Sequence, residues 1–220
     1  MKRLLSVLLI LVVLLSSVYY AAAEDLSAMS EEDLLALRLA INNELAARYE
    51  PPVYDGKTVI DIFPYKPFAI YMRDAMGAFS INDEVSQEML ESVTSIFIND
   101  MDMGLSSMEG IQYLTNLKYI TCVHQRALTQ LPEISNLQQL YSIDFAQCGL
   151  TSLPESICSC MAMKTIDVYG NPITALPEDI GNLTSLKSLD ISYTQITSLP
   201  ASIRNLKLKE FNRKGLDLGD

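Results

Sequence analysis

Between residues 140 and 206 apolar side chains return every 23 positions, at the same offsets in each turn. The most regular turn runs Met163, Ile166, Val168, Asn171, Ile173, Leu176, Ile180 and Leu183; the next runs Leu186, Leu189, Ile191, Thr194, Ile196, Leu199, Ile203 and Leu206. The turn before them runs Leu140, Ile143, Phe145, Cys148, Leu150, Leu153, Ile157 and Cys160. An earlier turn is looser: Leu117, Ile120 and Cys122 fit, Leu128 and Leu131 fall one residue late, and Ile134 recovers the spacing. A degenerate turn with Val93, Ile96, Ile98, Met101 and Leu114 precedes it. Alternations such as Ile166-Asp167-Val168 and Leu189-Asp190-Ile191 predict short strands with two apolar side chains on one face and an acid on the other. The Leu-Pro steps at Leu153-Pro154, Leu176-Pro177 and Leu199-Pro200 keep a helix from running through and turn the chain back.

A turn buries about seven apolar side chains at roughly 1.5–3 kcal/mol each. Ordering its backbone costs roughly 1–2 kcal/mol per residue. No turn can therefore stand alone, and the repeated side chains are expected to be packing that stacks each turn on the next. What differs between turns is then free to carry function.

The pattern L-x-x-L-x-L-x-x-N-x-L-x-x-L-P-x-x-I-x-x-L over residues 93–211 resembles the leucine-rich repeat family. Upstream, "IFPYKPFAIYMRDAMGAFSINDEVSQEMLESVTSIFIND" followed by "MEGIQYLTNLKYI" is similar to the helical cap and first repeat of internalin-like bacterial proteins. The resemblance implies an α/β fold: a right-handed solenoid of about five coils, short parallel strands on its concave face, and an α-helical amino-terminal cap. It also implies binding of other macromolecules on that concave face. The position usually filled by Asn, which serves backbone groups between coils, is Asn171 here but Cys148 and Thr194 in the neighbouring turns. No carboxy-terminal cap is evident, and Leu208 and Phe211 are the residues available to cover the last coil.

Helices are expected near 68–78 and 85–92 within the cap, and Val59, Ile60 and Ile62 suggest a further strand. Before them, "MSEEDLLALRLAINNELAARYE" reads as a helix capped by Ser30 with Asp33, carrying an apolar stripe of Leu34, Leu37, Ile41 and Leu45 and ended by Pro51-Pro52. The first residues have Lys2 and Arg3, an apolar run from Leu4 to Val18, then Ala21 and Ala23, the form of a cleaved secretory signal. The expected organisation is a signal peptide at 1–23, an amphipathic helix and linker at 24–60, a helical cap at 61–92, repeats at 93–211 and a tail at 212–220. The mature chain is expected to be secreted or at the cell surface, with no membrane span.

Charge narrows the partners. The net charge is −11, and removing Lys2 and Arg3 takes it to −13, which repels nucleic acid and anionic membranes. The four cysteines, Cys122, Cys148, Cys158 and Cys160, form no Cys-x-x-Cys pair. With His124 as the sole histidine, no metal site or other cofactor is expected. Cys122, Cys148 and Cys160 fall at core offsets and are expected as buried thiols, and Cys158 as an exposed one.

The repeat spacing places Phe97, Thr121, Asp144, Asp167 and Asp190 in one outward column, with Lys164 and Lys187 nearby. Three acids stacked about 5 Å apart repel one another and would attract a basic segment of a partner, or, less well, a divalent cation. Tyr119, Tyr141, Tyr169 and Tyr193 lie in neighbouring columns, and tyrosine suits binding surfaces. The candidate partner-binding residues are Tyr119, Asp144, Asp167, Tyr169, Asp190, Tyr193 and His124. No nucleophile is matched to His124, so catalysis is not expected. Two other readings stay open: a structural protein that self-associates through residues 31–49, and a carbohydrate binder using the tyrosines as stacking platforms.

Overall fold

The structure is a computed structural model that describes residues 56–99 and 102–218, all within one compact unit spanning Leu45–Asp220. The signal segment, the helix expected at 31–49 and Met101 lie outside the described residues.

Six strands form one parallel sheet in sequence order: β1 Ser95–Ile98, β2 Tyr119–Cys122, β3 Ser142–Asp144, β4 Thr165–Asp167, β5 Ser188–Asp190 and β6 Glu210–Asn212. Their register aligns the repeat columns: Ile96, Ile120, Ile143, Ile166 and Leu189 are successive partners, with Phe211 at the end. The first five of these are at most 2% exposed, and Val168 and Ile191 are fully buried. The repeated side chains face inward, as the alternation requires. The hydrogen-bond ladder extends beyond the strands. Lys118, Tyr141, Lys164, Lys187 and Lys209 each donate a backbone N–H to the preceding coil at 2.7–2.9 Å.

On the far side of the coils, the Leu-Pro steps lead into short 3-10 helices, Glu155–Ser159 and Ala201–Asn205, each with the proline at its N-cap. Proline suits that place because its φ is already set and its missing N–H has no partner to lose. Two coils come close enough to demand glycine: a Cβ at Gly149 would lie 2.2 Å from the Arg126 carbonyl oxygen, and one at Gly181 2.1 Å from that of Ser202.

The sixth strand is a coil beyond the expected five. It follows β5 at a spacing of 22, since Ser188 pairs with Glu210, and so escapes a search at 23. All three of its residues are exposed, and Phe211, in the inward column, remains 36% exposed.

Among the described residues three helices stand ahead of the sheet, α1 Val59–Ile62, α2 Lys66–Ala75 and α3 Gln87–Ser92. The strand suggested at Val59, Ile60 and Ile62 is instead α1. Thr58 caps it reciprocally with Asp61, whose carboxylate accepts from the Thr58 N–H at 2.9 Å. Only Thr58 itself makes a β contact, an isolated antiparallel bridge to Glu84. Phe63, Phe68, Met72 and Leu90 are fully buried and belong to the same core cluster as the coils. Two tyrosines tie helices to coil: the Tyr71 hydroxyl accepts from the Phe97 N–H of β1 at 2.7 Å, and the Tyr65 hydroxyl donates to the Gly104 carbonyl at 2.5 Å.

Candidate functional site

The side of the sheet that faces away from the core carries what does not repeat. Along its exit edge run Phe97, Thr121, Asp144, Asp167, Asp190 and Asn212, partners in register from β1 to β6. The acidic column read from the spacing is thus real, and it has a structural task. Asp144 Oδ1 accepts from the Ala146 N–H at 3.0 Å, Asp167 Oδ1 from Tyr169 N–H at 2.9 Å and Asp190 Oδ1 from Ser192 N–H at 2.8 Å. Each aspartate therefore fastens the turn that leaves its own strand. Asp190 Oδ2 also accepts from Asn212 Nδ2 at 2.8 Å.

The stacking is not free of strain. Burial, together with the charges of Asp144 and Asp190, pushes the Asp167 carboxyl above the usual carboxylate range, although its bond from Tyr169 N–H pulls the other way. The expected relief from Lys164 is indirect, because its ammonium sits over the Tyr141 ring, 5.9 Å from the centroid. Among the described residues, no ion pair involves the column.

The aromatic residues gather in two groups. Phe97 is 63% exposed, Tyr119 49% and Tyr141 42%, and the Tyr119 and Tyr141 rings lie 5.8 Å apart. These two come from different columns: Tyr119 opens β2 and aligns with Ser142, whereas Tyr141 precedes β3. At the other end Tyr169 and Tyr193 meet edge to face at 5.4 Å, with the Lys214 ammonium 5.9 Å from the Tyr193 ring centroid. The face is therefore aromatic over β1–β3 and acidic over β3–β5. Phe97 was visible in the outward column but lacked the polar tip that drew attention to the tyrosines.

His124 lies apart from both groups, in the turn leaving β2. It has φ +61°, a conformation L residues seldom adopt, yet Gln147, Gly170 and Tyr193 share it at the equivalent place in later coils, with φ of +55°, +69° and +55°. All four donate their N–H to the next coil, at 2.7–3.0 Å. The strain at His124 is a property of the coil. Three coils separate it from Tyr193, about 14 Å at the spacing of adjacent strands.

Below the face runs the buried polar column. Asn171 Oδ1 accepts from the Leu150 N–H at 3.0 Å, and its Nδ2 donates to the carbonyls of Phe145 at 2.7 Å and Val168 at 2.9 Å. It thereby joins two coils. Its stand-ins do less: Thr194 donates to the Ile191 carbonyl at 2.8 Å, within its own coil, and Cys148 Sγ to the Cys122 carbonyl at 3.0 Å. Gln125 fills the same place in the loose coil, fully buried, accepting from Met103 N–H at 3.0 Å and donating to the Val123 carbonyl at 3.2 Å. Its 23-residue offset from Cys148 was the signal that could have found it. None of the four cysteines is in a disulfide, and all are buried. Cys158, expected at the surface, is 3% exposed because it lies on the inner side of its 3-10 helix, beside Ile157. Among the described residues no group of three or more His, Cys, Asp or Glu side chains is placed to hold a metal ion, and no helix is long and apolar enough to cross a membrane.

Comparison with known proteins agrees with this architecture. The Leucine Rich Repeat family model matches residues 185–206. The functional domain of InlJ from Listeria monocytogenes, which includes a cysteine ladder, superposes with a TM-score of 0.59 at 22% identity, over 71% of this chain and 32% of that one. The leucine-rich repeat domain of the type III effector XopL superposes with a TM-score of 0.55 at 20% identity, over 87% of this chain and 66% of the other. This chain thus spans about a third of the InlJ domain's length. No curated protein sequence matches it. The coil at residues 185–206 matches the leucine-rich repeat model, and the fold is the leucine-rich repeat solenoid seen in InlJ of Listeria monocytogenes and in the effector XopL.

Proposed function

We propose that this chain is an exported, non-catalytic recognition protein that binds a protein or peptide partner on the outward, concave face of its sheet. One observation carries the reading: the same coils that bury Ile96, Ile120, Ile143, Ile166 and Leu189 hold Phe97, Tyr119, Tyr141 and Tyr193 in water, each more than 40% exposed. A row of exposed aromatic side chains beside carboxylates that meet no cation suits a partner with apolar groups and a basic segment. The acidic column supports a basic partner and opposes nucleic acid. His124, away from any nucleophile, serves at most as a contact at the rim.

The test is capture from culture surfaces on the immobilised mature protein, comparing wild type with the Asp167→Lys, Tyr193→Ala double variant. Circular dichroism and a thermal melt verify that the variant is folded. Partners held by wild type and lost by the variant support this face as the site. Equal retention of every partner overturns it. Binding to a glycan array would favour carbohydrate recognition instead, and a dimer that becomes monomeric without residues 31–49 would favour assembly.

A further inference from the structure

We propose that Cys122 and Cys148 form a reversible disulfide that fastens the coil of β2 to the coil of β3. The two cysteines are 26 residues apart in sequence and meet across adjacent coils, with Cys148 Sγ 3.0 Å from the carbonyl oxygen of Cys122. The two thiols also act on each other's protons, raising the pKa of Cys122 and lowering that of Cys148. Both side chains point into the core, Cys122 fully buried and Cys148 5% exposed.

The place gives the bond its purpose. Cys148 occupies the buried polar column, where Asn171 ties one coil to the last with bonds to Leu150 N–H and the Phe145 carbonyl. Cys148 reaches the preceding coil by donating to the Cys122 carbonyl and accepting from the Gln125 N–H, but sulfur donates and accepts weakly, so the tie between these two coils is the thinner one. A covalent link supplies it. Those coils carry Tyr119 and Tyr141, so the link also stiffens the aromatic half of the open face. The other two cysteines are poorly placed to compete: Cys158 and Cys160 lie two residues apart, at the end of one 3-10 helix, and joining them would distort it.

The chemistry is thiol–disulfide exchange with a disulfide oxidant, R–S–S–R. The Cys148 thiolate attacks one oxidant sulfur, forming a mixed disulfide and releasing RS⁻. Cys122 then gives its proton to that leaving group and attacks Cys148 Sγ, breaking the mixed bond and releasing a second RS⁻, which takes up the proton lost by Cys148. Two cysteine thiols are oxidised and one R–S–S–R is reduced to two RSH. Cys148 is the better first nucleophile. Bonds from the Cys122 thiol and the Gln125 N–H hold it below the ordinary thiol range, while keeping its proton toward Cys148, and burial, push Cys122 up. Export, as expected from the leader, would deliver the pair to oxidising surroundings.

The experiment equilibrates the purified full chain with glutathione disulfide or with reduced glutathione, then quenches by alkylation. Thiols are counted after denaturation, and the cross-linked peptides are identified by mass. In the reduced sample all four thiols are expected. In the oxidised sample two should be lost, one Cys122–Cys148 peptide should appear, and the thermal midpoint should rise. Cys148→Ser should keep its remaining three thiols in both buffers. Should that variant fail to fold, the peptide map of the wild type decides alone. Four thiols after oxidation, a Cys158–Cys160 link, or glutathione bound without an internal bridge each overturns the proposal. None of these outcomes bears on the open face.

Discussion

The two faces of this one sheet are built from alternate residues of the same short strands, and they obey different rules. On β4 the inner neighbours Ile166 and Val168 are fully buried, whereas the outer Thr165 and Asp167 are partly exposed. On the inner face each coil repeats its neighbour, because an aliphatic side chain fits only against another of similar size in the coil beside it. On the outer face the side chains pass from Phe97 through Thr121 to three aspartates, and nothing in the packing forces that order. The difference teaches that in a stacked fold repetition measures structural demand. Departure from repetition marks the places where another demand, such as a partner, is free to act.

Substitutions on the two faces sharpen that contrast. The largest loss is expected at the centre of the inner face: Ile166→Ala should cost about 4 kcal/mol in urea unfolding, from transfer and cavity terms together. Next comes the buried polar column, where Asn171→Ala removes bonds to two coils and should cost about 3 kcal/mol. Thr194→Val in the following coil should cost only about 1 kcal/mol, since a single intracoil bond is lost. If these two proved equal, the buried polar column would not be tying coils together.

The outer face should answer weakly and with the opposite sign. Asp167→Asn keeps an oxygen for the Tyr169 N–H and removes the middle charge of the column, so at neutral pH it should stabilise by under about 1 kcal/mol. The pH dependence follows from the raised carboxyl. The folded protein holds the Asp167 proton more tightly than the unfolded chain, so its contribution to stability falls as pH rises from the ordinary aspartate value through the raised one. The advantage of Asp167→Asn over wild type should accordingly grow across that acidic window and vanish below it. Smallest of all, Tyr141→Ala should shift stability by no more than about 0.5 kcal/mol, as expected of an exposed position, while weakening partner capture.

How much of this was legible in the sequence depends on which physical signal carried it. The inward columns were, because Ile143, Ile166 and Leu189 recur at one spacing, and so was the acidic column, which follows from the strand period of two. The sixth strand was hidden by its spacing of 22, and α1 by the β-branched residues of "VIDI", whose preference a Thr58 capping box overrides. Cys158 misled because the 3-10 helix turns it inward, a rotation that no 23-residue offset records. The aspartates' bonds to the turns were readable from residue type, since Asp commonly binds a backbone N–H two residues on. Reading them as charges alone missed that they also build the turns whose next residue takes the positive φ.

The central claim, that the unrepeated side of the sheet meets the partner, is tested most directly by site-specific photo-crosslinking. A photoreactive residue would replace Tyr141 on the open face or Glu155, exposed on the 3-10 helix of the opposite limb. The account predicts one discrete adduct from position 141, suppressed by Asp167→Lys, and none from position 155. Adducts from position 155 alone, or from both positions alike, would contradict it.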